Sequence, residues 1–342
     1  MESIKFIIPH FSPYRDDVVS ELSNNESGIN VDVYMYGLYT EHLEWNLSNK
    51  LKVDKVGVFE LFRIFLSAKK KSTVFFIPGW RFFWLFLSLI ARVKGNRVVC
   101  CTDTKEASFI SIRRRVYNYL FYGFFLSGEA SYQYLSKNFT NKIFTKGIYC
   151  LNRDSVNLMH SNRSNFNKKS GAPSNNFKLV SVANFLPSRN QETFLREMDA
   201  ILQRDDKVTI VFIGKGYPNS FVKMTKELRF VNVVFQRPIE FNRIPEILKG
   251  YDAVVHPGNE PYSTFLVIAA LLNCVIFSDS TVGAYSCLAN SNYKNIFSMT
   301  DLHEIIKKKI GMARDLELYT PPRYLIDPQY VAKSLIENYL RN

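Results

Sequence analysis

Residues 252–279 read DAVVHPGNEPYSTFLVIAALLNCVIFSD. The apolar run Ala253, Val254 and Val255 ends in a Pro257-Gly258-Asn259 turn, which predicts a buried strand. A loop carboxylate, Glu260, follows, and Ser263 or Thr264 then caps a helix that has no polar face. Cys274 to Phe277 returns at once as a second apolar strand, so the unit is a compact βαβ crossover. Such a crossover requires a parallel sheet and sets its loop at the carboxyl edge, where open α/β sheets bind ligands. The N–H groups that open the helix can meet a diphosphate, and Glu260 can accept hydrogen bonds from sugar hydroxyls. A strand, a turn and a helix with one Glu also occur throughout α/β proteins, so the rest of the chain has to decide between a ligand loop and an ordinary connection.

A chain of 342 residues suits two cores of about 150 residues each. Its hydrophobic content of 46% excludes a disordered chain or a fibre. The five cysteines, Cys100, Cys101, Cys150, Cys274 and Cys287, are odd in number and show no CxxC spacing. They read as reduced core residues of a cytoplasmic protein, with neither a disulfide framework nor a zinc site. Met-Glu-Ser leads directly into a strand without the features of a signal peptide. The longest apolar stretch, Phe82 to Ala91, is about half of the roughly 20 residues that a membrane span needs, so no transmembrane helix is expected.

The net charge of +13 is unevenly placed: residues 1–60 hold 5 Lys/Arg against 10 Asp/Glu, and residues 61–160 hold 16 against 4. The clusters Lys69-Lys70-Lys71 and Arg113-Arg114-Arg115 are interleaved with Phe62, Phe65, Trp80, Phe82, Phe83, Trp84 and Phe86. Two readings fit. Residues 61–115 touch the inner face of an anionic cell membrane, or the aromatics are core beneath an ordinary solvated face. No RNA- or DNA-binding module accompanies these charges, so nucleic acid is not an expected partner.

Along the chain, Ile4 to Ile8 is a first strand. In the following loop, Pro9 to Arg15, two prolines oppose helix, and Asp16 or Asp17 starts a helix that runs to about Ser23. Val31 to Tyr36 and Val74 to Ile77 are strands, a helix over 82–94 is stopped by Gly95, and Arg97 to Thr102 is the next strand. This alternation predicts a parallel α/β sheet and puts Asp103 at a strand's carboxyl end. A helix over 112–122 leads to a short strand and to Ser127-Gly128-Glu129, where Glu129 either caps the next helix or faces a ligand.

Residues 152–176 lose apolar periodicity and gain Asn, Ser, Lys, Gly and Pro, which marks a domain boundary or a linker close to it. The second half restarts with strands over 177–182 and 208–213, the latter running into Gly214-Lys215-Gly216. Missing side chains in that turn let a phosphate or ribose approach the backbone. No third glycine opens the helix, so it is no dinucleotide fingerprint. A strand over 231–235, then Arg237-Pro238, a helix over 244–251 and the 252–279 unit follow, and helices near 301–314 and 328–340 end the chain.

Glu260, Pro261, Tyr262 and Ser263 resemble the Glu-Pro-Phe-Gly of GT-B glycosyltransferases of the retaining family 4 type, the glycosyl transferases group 1. Two departures stand beside the match. Ile268 occupies the place of the family's second Glu, eight residues after the first, which holds the nucleotide ribose, and Asn273 stands where a helix-ending Gly is usual. Ala183 to Arg189 is similar to the family's Gly-Arg-Leu-x-x-x-Lys, with Asn184 in the Arg place and Arg189 in the Lys place, so one of two diphosphate-binding cations is kept. The resemblance covers nearly all of the second half in order, and the first half more loosely.

The resemblance implies an α/β chain of GT-B fold: two Rossmann-like domains with parallel sheets facing a central cleft. Residues 1–160 would form the acceptor domain, with a terminal helix at about 328–342 packing back on it, and residues 177–327 the donor domain. The implied reaction moves a sugar from a nucleotide donor, of UDP or GDP type, to a glycan or lipid-linked glycan in bacterial-type surface polysaccharide or glycoconjugate synthesis. It would retain anomeric configuration and use no cofactor or metal, in keeping with a sequence that lacks an Asp-x-Asp pair or a His/Cys cluster. Glu260, Arg189 and His10 would be catalytic. Asn184, Gly214, Lys215, Gly216, Arg237, Pro261, Tyr262, Ser263 and Thr264 would hold the donor, and Arg15 and Asp103 the acceptor. Ile268 and Asn184 also leave open a glycosyltransferase-like binding subunit that has lost turnover.

Overall fold

The computed structural model describes residues 3–8, 13–24, 28–36, 53–103, 111–164, 176–203, 207–258, 263–279, 283–308 and 319–340. The chain forms two units, Met1–Arg153 with Pro322–Asn342, and Asp154–Pro321.

The first unit runs β1 (Ser3–Ile8), α1 (Pro13–Ser23), β2 (Asn30–Met35), β3 (Val53–Lys55), α2 (Val58–Ser67), β4 (Thr73–Pro78), α3 (Phe82–Val93), β5 (Arg97–Thr102), α4 (Ser111–Leu120), β6 (Gly123–Leu126), α5 (Glu129–Asn138) and β7 (Ile143–Lys146). Its strands lie in the order β3-β2-β1-β4-β5-β6-β7, and adjacent strands pair in parallel. Successive side chains of a strand point to opposite faces, and both faces here are apolar. Ile4, Phe6, Val74, Phe76, Val99 and Phe125 enter one core with Val18 and Leu22 of α1. Ile7, Phe75, Ile77, Val98, Cys100 and Phe124 enter the other, under Phe65 of α2, Leu87 of α3, Tyr117 of α4 and Leu135 of α5. Right-handed crossovers account for this division, since every connection running from β3 through to β7 places its helix on the same face. Phe6 stacks on Phe76 with ring centroids 4.3 Å apart, and Phe65 on Phe75 at 4.1 Å, one pair in each core.

Helix α1 begins at Pro13, where the sequence reading expects a loop through Arg15. Proline is accommodated in a first turn because its missing N–H has no intrahelical acceptor there, so Arg15 belongs to the helix. The expected linker also begins as a helix, α6 (Arg153–Arg163), and the chain passes between the two units at its start. Val156, Met159 and Arg163 form its buried stripe, and the Arg163 guanidinium donates to the Tyr319 carbonyl at 3.3 Å. The Asn- and Ser-rich outer face hid this periodicity.

The second unit continues with β8 (Asn176–Val182), α7 (Gln191–Ile201), β9 (Lys207–Ile213), α8 (Asn219–Thr225), β10 (Val231–Gln236), α9 (Ile244–Leu248), β11 (Ala253–His256), α10 (Thr264–Leu271), β12 (Ile276–Ser278), α11 (Gly283–Asn290), β13 (Ile296–Ser298) and α12 (Met299–Lys308). Its sheet has the order β10-β9-β8-β11-β12-β13, again with parallel neighbours. Residues Leu266 to Leu271 of α10 are all buried, as a helix without a polar face requires. Asn273, in the place of the usual glycine, adopts the left-handed conformation with φ 61°. Asparagine tolerates this region, and its side-chain oxygen accepts from Asn295 Nδ2 at 2.9 Å.

After residue 321 the chain re-enters the first unit through α13 (Arg323–Ile326) and α14 (Pro328–Tyr339). Asp327 caps α14 by accepting the Tyr330 N–H at 3.0 Å. Val331, Leu335, Ile336 and Tyr339 of α14 join the core beside α1. Tyr339 is fully buried and donates its hydroxyl to the Phe124 carbonyl at 2.7 Å. Its ring leaves no room on β6: a Cβ added to Gly123 would stand 2.6 Å from Tyr339 Cε1 and 2.6 Å from the Ile143 carbonyl oxygen. Tyr339→Phe is expected to cost about 1 kcal/mol through the lost hydrogen bond, and Gly123→Ala about 1–3 kcal/mol through overpacking. Urea unfolding followed by circular dichroism measures both, and a Gly123→Ala chain as stable as the parent would refute this account of α14 docking.

Candidate functional site

In the second sheet the strand order reverses between β8 and β11: the chain leaves β8 toward β9 on one side, and enters β12 from β11 on the other. Crossover helices diverge at such a point, and the crevice outside the carboxyl ends of the two strands is where open α/β sheets bind ligands. Residues 183–190, 214–218 and 257–258 surround it, following β8, β9 and β11.

These connections are locked together by backbone contacts. Ala183 N–H donates to the Ile213 carbonyl at 3.0 Å, Phe185 N–H to the Lys215 carbonyl at 2.9 Å, and Lys215 N–H to Asn184 Oδ1 at 3.0 Å. The Tyr217 hydroxyl donates to the Ala183 carbonyl at 2.8 Å. Burial pushes the Tyr217 hydroxyl pKa up, which keeps it a donor at physiological pH. Gly214 is required by this arrangement, because a Cβ there would lie 2.4 Å from the Ala183 carbonyl oxygen. Asn184 therefore serves as a bracket between the first two connections.

Pro187–Arg189 forms a single 3-10 turn, and Asn190, with φ 50°, redirects the chain into α7. Arg189 is half-buried and donates from Nη1 to the Asn184 carbonyl at 2.7 Å. The connection after β11 meets this turn directly. A Cβ on Gly258 would fall 2.0 Å from Arg189 Cα and 2.3 Å from its carbonyl oxygen, so the two backbones touch where only glycine fits. The Arg189 backbone thus lies against Gly258, which stands two residues before Glu260 in the chain. The sequence reading treats Gly258 only as part of a turn, because its partner lies 69 residues away.

Of the other expected donor residues, Lys215 and Gly214 are half-buried, and Gly216 is exposed with φ 83°. Arg237 is exposed just beyond the carboxyl end of β10. Ser263 is buried as the N-cap residue of α10, and Thr264 opens that helix. Glu260, Pro261, Tyr262 and His10 lie outside the described residues, as does the side chain of Arg15. Asp103, in the first unit, follows β5 and accepts from the Tyr149 hydroxyl at 3.1 Å. Glu129 opens α5 and pairs with Lys146 of β7, which settles that carboxylate in an ion pair within the first unit. Ile268, in the place of a ribose-binding Glu, is buried within α10. Two polar residues escaped the sequence reading. His256 ends β11 in a buried position, and Gln191 opens α7 at 2% exposure, with neither amide atom of its side chain bonded among the described residues.

The family model for glycosyl transferases group 1 matches residues 162–308. No curated protein matches the chain in sequence. Among solved structures the chain is similar to Anabaena Alr3699/HepE in complex with UDP, at 13% identity and a TM-score of 0.63, covering 99% of this chain and 96% of that one. A glycosyltransferase from Rickettsia africae ESF-5 follows at 11% identity and a TM-score of 0.61, covering 99% and 94%. WaaG, a glycosyltransferase involved in lipopolysaccharide biosynthesis, is similar at 14% identity and a TM-score of 0.57, covering 98% and 95%.

Asn184→Ala removes the acceptor for Lys215 N–H and is expected to lower stability by about 1 kcal/mol. Gly258→Ala forces two backbones apart and is expected to cost about 1–3 kcal/mol or more. Thermal melting of the two variants checks both figures, and a Gly258→Ala chain that melts with the parent would contradict the contact between residues 257–258 and Arg189.

Proposed function

We propose, from the premise that this chain is a glycosyltransferase of GT-B fold whose second unit matches group 1, that it moves a sugar from a UDP- or GDP-type donor to a glycan or lipid-linked glycan. The observation that carries this reading is the seating of Arg189 against Gly258 at the strand-order reversal. In this reading one cation, the N–H groups opening α10 and Glu260 act on a donor bound in that crevice. The relatives solved with UDP and UDP-glucose support a nucleotide-sugar donor.

In this reading the bond between the sugar's anomeric carbon and the diphosphate oxygen breaks while an acceptor hydroxyl attacks the same face and passes its proton to the departing diphosphate oxygen, so configuration is retained. Negative charge grows on the leaving diphosphate. Arg189 answers it with a charge-assisted hydrogen bond, and the N–H groups from Tyr262 to Thr264 answer it with fixed dipoles. With that charge held by the protein, the reaction calls for no metal ion. Glu260 orients the sugar ring by accepting from its hydroxyls. Gly214, Lys215, Gly216 and Arg237 contact the nucleotide. Asn184 acts on the donor indirectly, by holding the Lys215 backbone. Acceptor recognition falls to His10, Arg15 and Asp103, and the product belongs to surface polysaccharide or glycoconjugate synthesis.

A second reading, a donor-binding subunit without turnover, is favoured by two observations: the Asn184 amide is committed to the backbone, and Ile268 is core. Purified protein screened against nucleotide sugars separates the two. Sugar transfer or donor hydrolysis establishes the enzyme, and thermal stabilisation without either establishes the binding subunit. A ligand at 100 times its dissociation constant raises stability by about 2.7 kcal/mol, well within reach of a melting assay. Glu260→Ala is expected to abolish transfer and to keep the stabilisation by donor. Arg189→Ala is expected to weaken that stabilisation and lower kcat/KM by about 10–100-fold, the worth of a charge-assisted hydrogen bond of about 1.5–3 kcal/mol. Full activity in the Glu260 variant would remove Glu260 from the site.

A further inference from the structure

The exposed apolar surface of the described residues is concentrated on three neighbouring helices. Of fourteen exposed large hydrophobic side chains, ten belong to α2, α3 and α4. On each helix they recur at helical spacing. Helix α3 presents Phe82, Phe86, Leu89 and Val93, α4 presents Ile112, Val116 and Tyr119, and α2 presents Phe59 and Leu66. Phe59 is 90% exposed, Phe82 86%, Val93 76% and Ile112 69%. These stripes stand apart from those that pack on the sheet, which are Leu61 and Phe65 on α2, Trp84, Leu87 and Ala91 on α3, and Tyr117 and Leu120 on α4. The aromatics of residues 61–115 therefore divide: some of them are core, and a second apolar set faces outward.

The three helices form one surface. Phe62 of α2 meets Phe83 and Phe86 of α3 at ring-centroid distances of 6.0 and 5.8 Å, and Trp80, just before α3, stacks on Tyr117 of α4 at 5.7 Å. The surface is edged by exposed cations: Arg63, Lys69, Lys70, Lys71, Arg81 and the Arg113–Arg115 run. Glu60 is the sole carboxylate on these helices, and it is engaged by the Gly57 N–H at 2.8 Å. No helix among the described residues is long and apolar enough to cross a membrane.

We infer that the outward face of α2, α3 and α4 docks on an anionic lipid surface, with its apolar stripes entering the interface and its cations facing the headgroups. Charge selects this occupant over a second copy of the chain. A two-fold contact would set the same cations against one another with one engaged carboxylate to offset them. An anionic bilayer accepts apolar side chains and supplies the opposite charge in excess. This face lies wholly in the first unit and owes nothing to the donor site of the second.

The purified full-length chain is to be sedimented with vesicles of phosphatidylcholine and of phosphatidylcholine mixed with phosphatidylglycerol. Binding is expected to the mixed vesicles alone and to fall as salt is raised. Arg113→Ser, Arg114→Ser and Arg115→Ser together should weaken it by about 100-fold, at about five-fold for each cation near the surface. Phe59→Ser with Phe82→Ser should weaken it by at least about 10-fold, with the melting temperature unchanged because both rings are already in water. The inference is overturned by absence of binding, by equal binding to both vesicles, by full binding in either variant, or by a dimer of the parent chain that the Phe variant dissociates. Donor-dependent melting in the same variants should equal that of the parent, so a failure of the membrane face is distinguishable from a failure of the donor site.

Discussion

A parallel sheet has two faces to cover, and the rest of this molecule follows from that requirement. Parallel strands need crossovers, the crossovers are helices, and right-handedness distributes the helices over both faces. In the first unit the consequence is visible residue by residue along β4, where Val74 and Phe76 enter one core and Phe75 and Ile77 the other. The terminal segment completes the cover. Helix α14 lies beside α1 on the face that the β3-to-β7 crossovers leave bare, and buried Tyr339 ties it to the Phe124 carbonyl.

The same constraint creates the candidate site. All strands of the second sheet end on one edge, so their following connections converge there whatever their spacing in sequence. Convergence alone would leave mobile loops. Here the connections after β8 and β9 are hydrogen-bonded into one layer through Asn184, Lys215 and Tyr217, and the connection after β11 is pressed onto that layer at Gly258. Such rigidity suits charge stabilisation, where dipoles and cations act best when already in place. Asn184 has a structural duty in this layer, since its side-chain oxygen accepts the Lys215 N–H.

The sheet's demand for cover also explains why apolar residues face outward on α2, α3 and α4. Each of these helices needs only one stripe to pack on the strands, and that stripe is present on each. A further set, at the same spacing but on another side of the helix, is not explained by the core of its own unit. Clusters of Lys and Arg beside it, with almost no carboxylates, give the surface one sign of charge.

Local pattern in the sequence was sufficient for much of this. Apolar runs of four to seven residues, turn residues after them and a helix without a polar face between Ser263 and Asn273 determined a parallel α/β chain, its strand-to-loop junctions and the residue types at the carboxyl edge. Short or atypical elements were not legible: α1 starts on Pro13, and α6 hides four buried positions in an Asn- and Ser-rich stretch. The tertiary structure alone decided that Gly258 lies on Arg189, that Asn184 holds Lys215, and which face of α3 is bare. The physical reason is range. Periodicity and turn chemistry act within a few residues, whereas these contacts join positions dozens of residues apart and exist only once the sheet has brought them to the same edge.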